Sequence, residues 1–402
     1  MRPSASTECI GLHRFCFGLA VKLLLPLPVK ADTYHMQLKP ISTLPILLIG
    51  MASHAYTNAA SWESAGSVVL THQATTEAHI QDESAGSADL IVQRQNGANH
   101  WVAHIEASST PRSNGVSSIL PEANADVGTA LESNSKGRIQ LSELYYTHNY
   151  SENSTLSAGL LDVSGFFEQS RLASDETTQF LGAFFVGNPT IEFPDYTLGV
   201  VYEAGLSNDV VLRAALASSD GLADNPERSY SQLLTVERGD GVFGIASASW
   251  EANNWLLRAG GWFNSANDQR LDMASAEQEN YGAYLLAGYI QGHHSANIRL
   301  GLANPNVSQG AGFASAAYRY QRGRYTAGVA VGRAFLSSQA PANFLNDTDQ
   351  YEFFIRYTMR QGLFLTGNLQ GITNSNYGEL PENRDQRATV YGVRLTWLFD
   401  GV

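Results

Sequence analysis

The feature that most constrains this chain is a rhythm. From Arg138 to Phe399, runs of ten to fourteen residues alternate apolar and polar side chains, and the links between them are alternately short and long. The last run, TVYGVRLTWLF, sets Tyr391, Val393, Leu395, Trp397 and Phe399 on one face and Gly392, Arg394 and Thr396 on the other. A period of two is the strand period, because successive side chains point to opposite faces. The sorting of link lengths adds a second constraint. A barrel crossing an outer membrane has short turns at its periplasmic end and long loops outside, whereas a soluble sandwich has no reason to sort them.

Composition agrees. Charged residues make up 16% of the chain, against ~25% in ordinary soluble domains. No stretch past Ala60 approaches the ~20 consecutive apolar residues of a membrane helix. Little charge without helical spans favours an all-β transmembrane antiparallel barrel; a large soluble β-protein is the weaker alternative. Of 25 basic and 38 acidic side chains, five and two fall in the first 59 residues, leaving 20 against 36. So acidic a chain is a poor partner for nucleic acid, which is bound through its phosphates. Past the leader Lys136 is the only lysine. Arginine keeps its charge when partly buried and offers a planar fork of donors, which suits a polar wall facing hydroxylated or anionic solutes; a genomic bias toward arginine explains the count equally well.

Residues 1–59 read as a leader and 60–402 as the barrel. Met36, Lys39, the apolar run Ile41 to Met51 and the small residues Ser53, Ala55, Ala59 and Ala60 have the three-part build of a secretory signal. Translation from Met36 is therefore expected, with residues 1–35 an upstream extension. Both cysteines, Cys9 and Cys16, lie in that leader. Thiol redox chemistry and cysteine metal sites are accordingly not expected in the mature chain.

Strands are expected near 138–148, 154–163, 195–206, 208–219, 241–251, 253–264, 279–292, 295–304, 311–322, 324–336, 348–361, 362–373 and 387–399. Single-chain bacterial barrels normally have an even number. The segment 99–107 is the strongest addition, giving fourteen; weakly patterned segments at 66–79 and 87–95 raise the total to sixteen, the preferred count. Long links fall at 108–137, 164–194, 220–240, 265–278, 337–347 and 374–386, and a shorter one at 305–310.

The same parity sorts lipid from lumen. Tyr351, Phe353, Ile355, Tyr357 and Met359 should meet lipid, as should Leu363, Leu365 and Leu369 and the set Tyr281, Ala283, Leu285, Ala287 and Tyr289. Tyrosines at both ends of such runs match aromatic girdles. Glu203, Arg213, Arg258, Trp262, Tyr284, Arg299, Glu352, Arg356, Asn368, Gln370 and Arg394 should face inward. Inward arginines and aromatic rings suit a sugar track, by stacking and by donating to hydroxyls; a generic polar wall is the other reading. Replacing Arg258 or Arg356 with Ala is expected to alter solute selectivity more than fold stability.

The block RIQLSELYYTHNYSENSTLSAGLLDVSGFFEQSRLASDETTQFLGAFFVGNP (138–189), followed by FPDYTLGVVYEAG (193–205), resembles the carbohydrate-selective porins, the OprB-like family of bacterial outer membranes. The resemblance resumes at LFLTGNLQGITNSNYG (363–378) and in the final strand. It implies a sixteen-stranded barrel that passes mono- or oligosaccharides down their gradient, without cofactor or covalent chemistry. The link 164–194 then becomes a candidate constriction loop, with Phe166, Phe167, Glu168, Phe180 and Phe184 packing on an inner wall. Outer-membrane lipid and the barrel-insertion machinery are the implied partners. The residues after Phe399, Asp400 to Val402, depart from a strand that ends on its aromatic residue. The leucine-rich face at Leu363, Leu365 and Leu369 is a candidate contact between copies of the chain.

Three other readings compete. An enzyme in a barrel needs a nucleophile and a base in reach, but G-x-S-x-G, H-E-x-x-H and P-loop motifs are absent; Ser142 and His148 are the available pair if they share a face. A metal site has one signal, His100, His104 and Glu106 on one face of 99–107. Residues i and i+4 on a strand are about 13 Å apart, so without a bulge both imidazoles cannot hold one ion. Lumen-lining polarity is the preferred account, and no metal is expected. A general-diffusion channel, or a plugged barrel using acidic links such as 218–229 as a binding face, completes the alternatives.

Overall fold

The computed structural model describes residues 61–225, 227–234, 241–273, 275–342, 344, 346–378 and 387–401. The expected leader lies outside the described residues. Sixteen antiparallel strands follow one another around a closed barrel. They are β1 (Ser61–Thr75), β2 (Glu83–Asn96), β3 (Asn99–Ser108), β4 (Ile139–Ser151), β5 (Ser154–Leu161), β6 (Thr197–Gly205), β7 (Val210–Ser218) and β8 (Val242–Ala252). The second half holds β9 (Trp255–Gln269), β10 (Glu277–Gln291), β11 (His294–Ala303), β12 (Gly310–Arg322), β13 (Tyr325–Leu336), β14 (Thr348–Arg360), β15 (Leu363–Thr373) and β16 (Arg387–Gly401). Each pairs with its sequence neighbours, and β1 closes on β16 from Ser64↔Gly401 to Thr75↔Val390.

The count is sixteen, and the two weakly patterned segments are full strands. One expected link shrinks: residues 265–269 and 277–278 extend β9 and β10, leaving only 270–276 between them. Alternation explains the extension, since Asn264 is buried inward and its amide oxygen accepts the Ala266 N–H at 3.0 Å, just past a register shift at Glu279/Asn280.

All the short turns fall at one end. Between β8 and β9 the whole link is Asn253–Asn254, both in the left-handed region at φ 50° and 72°; asparagine tolerates that region, and a tight hairpin needs it. The links 109–138, 162–196 and 219–241 leave from the other end.

Parity holds around the wall. Tyr391, Val393 and Trp397 are exposed on the outer face, while Arg394 and Thr396 between them are buried. Tyr351, Phe353, Ile355, Leu365, Leu369, Tyr281 and Leu285 are likewise exposed. Among the described residues no helix is long and apolar enough to cross a membrane; the crossing is made by strands, whose backbone groups are all paired sideways.

One break in parity overturns a sequence expectation. β3 pairs His104 with Glu143 but Ile105 with Leu141, so Ser142 is an extra residue on β4. A bulge of this kind moves every later side chain to the opposite face. Ser142 therefore points inward and is buried, while His148 lies beside Tyr146, Tyr150 and Asn99 on the other face. The two residues do not meet, and the Ser–His pair is excluded.

Because Val393 faces lipid in mid-strand, Val393→Arg is expected to lower refolding stability in vesicles by about 2–4 kcal/mol, as measured by denaturant titration. Phe399→Ala, nearer the membrane surface, should cost less.

Candidate functional site: a loop folded into the barrel

The lumen is organised around the link 162–196. Its apolar side chains do not face water: Phe167, Phe180 and Phe185 are fully buried and Phe184 nearly so. Phe167, Val163 and the partly buried Phe166 pack with Trp262, Tyr284, Phe243 and Ile245 on one side of the wall. Leu172, Phe180, Phe184 and Phe185 pack with Phe313, Ala317, Ala330, Ala334 and Phe354 on the other. The wall there is built of small residues to admit the loop. A Cβ at Gly332 would lie 3.2 Å from Phe184, and one at Gly328 would lie 2.9 Å from Phe180 and overlap the Phe354 ring.

Polar groups then fix the loop backbone. Arg299, fully buried, donates to both carboxylate oxygens of Glu168 at 2.9 and 3.1 Å, to the carbonyls of Phe185 (3.0 Å), Val186 (3.2 Å) and Ala173, and to the Ser174 hydroxyl. Arg258 donates to the Phe167 carbonyl at 2.8 Å, and the Tyr284 hydroxyl donates to the same oxygen at 3.3 Å. Arg356 donates to the Thr178 carbonyl at 2.5 Å; Arg394 donates to those of Glu176 and, at 2.7 Å, Gln179. Glu352 accepts the Leu181 N–H at 3.0 Å and the Gly182 N–H at 2.7 Å. Glu203 pairs with Arg213 on the neighbouring strand.

All the candidate lining residues thus point inward, but what they touch differs from a free pore wall. Arg258, Arg299, Glu352, Arg356 and Arg394 have their polar atoms on the loop, and Trp262 and Tyr284 lie beneath it. Only Glu203 and Arg213 of the set engage each other instead.

A second loop was missed by sequence reasoning. Residues 109–138 also turn inward. Ala123 accepts amide N–H groups from Gln73 (3.0 Å) and Gln370 (2.8 Å), and Gln350 donates to the Glu122 carbonyl at 2.5 Å. The Ala125 N–H donates to the Leu181 carbonyl at 2.9 Å, joining the two loops. The available signal was three glutamines at inward strand positions.

Across the lumen, on β2 to β4, Asp89, His104 and Glu106 bring their ligand atoms within 4.8 Å of one another. His104 bridges two carboxylates, Asp89 at 3.2 Å and Glu143 at 3.3 Å. His100 stands apart, against Gln93 at 3.2 Å. Asp89 comes from the adjacent strand, which the single-strand spacing did not reach. Both imidazole nitrogens of His104 are engaged, so a metal would have to displace an existing contact.

The loop acids carry shifted titrations. Burial, with Asp89 and Glu106 nearby, pushes the Asp126 carboxyl up to about 6, against the pull of two contacts from the Ser87 hydroxyl. Burial and the neighbouring Asp224, Asp162 and Glu106 push Asp195 up to about 8. At the loop end, a polar hollow of about 360 Å³ lies among Glu192, Asp268, Asn280 and Ser308.

A closed sixteen-stranded barrel with aromatic-rich outer faces and a loop pinned inside its lumen is an outer-membrane porin. A family model described as carbohydrate-selective porin, OprB family, matches residues 89–343, and the chain belongs to that family. The solved high-pH structure of Pseudomonas putida OprB is similar in fold, with a TM-score of 0.66 at 11% identity, covering 85% of this chain and 94% of that one. OmpT of Vibrio cholerae with its loop L8 deleted gives 0.52 at 10% identity, covering 85% and 99%. An uncharacterized protein of Aquifex aeolicus is 32% identical over 101 residues, 25% of this chain; the match spans about a third of that relative (32%). The fold and the family are those of a channel in the bacterial outer membrane.

Removing one partner of a buried ion pair costs about 3–5 kcal/mol. Arg299→Met is therefore expected to free the loop while the strand ladder stays intact. Single-channel conductance should rise and become noisier, and protease should cut within 162–196. Unchanged conductance and resistance would mean that apolar packing alone holds the loop.

The shifted acids give a pH dependence. In the docked loops Asp126 and Asp195 hold protons that a solvated carboxyl has already lost, so docking weakens as pH rises from about 4 toward 6 for Asp126 and toward 8 for Asp195. Open-channel noise should be lowest near pH 4 and increase up to pH 8; the opposite trend would contradict these assignments.

Proposed function

We propose that the chain is a passive filter for carbohydrates, mono- or oligosaccharides moving down their gradient through a lumen narrowed by 162–196, and that it performs no covalent chemistry. Family membership supports the solute class. The single observation that carries the filtering role is the loop's attachment to opposite sides of the wall, through Arg258, Arg299, Arg356 and Arg394. A loop tied at many points sets a fixed bore, and selectivity depends on bore, lining donors and field.

The route for solute runs along the β2 to β7 side. There the side chains of Asp89, Glu143, His104 and Arg213 keep 24%, 17%, 14% and 14% of their surface open, whereas Arg299 and Arg394, at 0% and 3%, are covered by the loop. Carboxylates accept from sugar hydroxyls, and Tyr196, edge-on to His104 at 6.5 Å, adds a ring at the same level. The arginine side holds the constriction in place, and the acidic side meets the solute.

Liposome swelling with the purified mature chain tests this reading, comparing glucose, a disaccharide and amino acids of similar size. Faster sugar entry is expected. Equal entry would mean a general-diffusion porin, and no swelling a plugged barrel. Asp89→Asn with Glu143→Gln is expected to reduce the preference for sugar over amino acid by severalfold, with the conductance of the loop-pinned state kept. Arg258→Ala and Arg356→Ala should widen the bore for every solute.

A further inference from the structure

Past residue 59 the chain is strongly acidic, yet no Asp or Glu occurs from Asn280 to Asn346 or from Phe353 to Gly378. These segments form most of β10 to β15 and the short turns joining them. Their turn ends carry cations: Arg322 and Arg324 flank Gly323 between β12 and β13, and Arg360 ends β14 beside the next short turn. All three are exposed, and none is in an ion pair among the described residues. At the same end of the barrel, the turns on the β4 to β9 side carry Glu152, Asp209 and Glu251 instead.

The arginines adjoin a belt of rings on the outer face. Tyr318, Tyr320 and Arg322 alternate along β12 on the lipid side. Arg322 lies opposite Tyr325, and Tyr325 opposite Tyr357. The Tyr325 and Tyr357 rings are 5.2 Å apart, and Arg324 donates to the Tyr357 hydroxyl at 3.4 Å. His294 bonds the Tyr318 hydroxyl at 2.6 Å and packs 5.1 Å from the Tyr320 ring. Deeper on the same face lie Val329, Phe353 and Ile355, all exposed to lipid.

We propose that Arg322, Arg324 and Arg360, with this tyrosine belt, bind the phosphodiester headgroup of an anionic phospholipid in the leaflet nearest the short turns. A guanidinium matches two phosphate oxygens at once. Tyrosine rings sit at headgroup depth, with their hydroxyls in the wet layer. The apolar wall beyond the rings takes the acyl chains. The position of the cations selects lipid over a soluble anion, because Arg322 shares the outward face with Tyr318 and Tyr320 and not the lumen.

Native mass spectrometry of the full mature chain in neutral detergent, titrated with phosphatidylglycerol and with phosphatidylcholine of the same chains, tests the site. Retention should favour phosphatidylglycerol, and each Arg→Gln change should lower that affinity by about fivefold. The triple variant R322Q/R324Q/R360Q should lose the preference while sugar entry stays as in the parent; the triple Lys variant should regain much of it. If the triple Gln variant does not insert, the three single variants and a salt titration of the parent carry the test, with the preference expected to fall as salt rises. A parent without preference, a Gln series that keeps it, or equal displacement by soluble glycerol phosphate would each overturn the assignment.

Discussion

The structure depends on one pairing, that of β1 with β16. In hydrocarbon an unpaired backbone N–H or C=O costs several kcal/mol, so a sheet exposed to lipid on one face has no stable edge. Twelve residue pairs from Ser64↔Gly401 to Thr75↔Val390 remove the last edge. Once the ladder is closed, the outward positions must be apolar and the inward ones become free to carry charge. The arginines of β9, β11, β14 and β16 are tolerable only because closure gives them an interior.

That interior then makes a second demand. A buried guanidinium needs acceptors, and the strands offer none, since their carbonyls are spent on the ladder. The loop 162–196 meets the demand with carbonyls left free by its irregular backbone: Phe167, Ala173, Glu176, Thr178, Gln179, Phe185 and Val186. The loop has the complementary need, because irregular backbone at membrane depth must be satisfied by protein. Wall and loop therefore satisfy each other, and the short helical turns Ser164–Phe167 and Ala183–Val186 place aromatic anchors between these contacts.

Most of the barrel was legible because a period of two survives in every strand whose outer face meets lipid. β1 and β2 were weak for a physical reason: Ser64, Gly66, Ser67, Ser84, Gly86 and Ser87 blur the contrast between faces, and only the even-strand rule and the turn at Gly97 pointed to them. The inserted loop was legible from FFEQS and QFLGAFF, too apolar for a solvated link. The bulge at Ser142 was not, since one extra residue changes no local pattern and shows only where the register slips. The pairing of each arginine with a loop carbonyl, and the inward turn of 109–138 onto Gln73, Gln350 and Gln370, are contacts between residues far apart in sequence, which no periodicity encodes.

The same geometry explains why cations past the leader are almost all arginine. Arg299 reaches Glu168, Ser174 and three carbonyls from one side chain. An ammonium has three donors on a single nitrogen and is strongly hydrated, whereas a guanidinium spreads five donors over a plane and sheds water more easily. Only the latter can collect carbonyls on several sides in a dry crevice. Lys136 lies in an exposed link, where that distinction does not matter. The arginine usage is thus a consequence of where the charges sit: a wall that must hold a loop by its backbone selects the fork, and a wall serving only as polar lining would accept either residue.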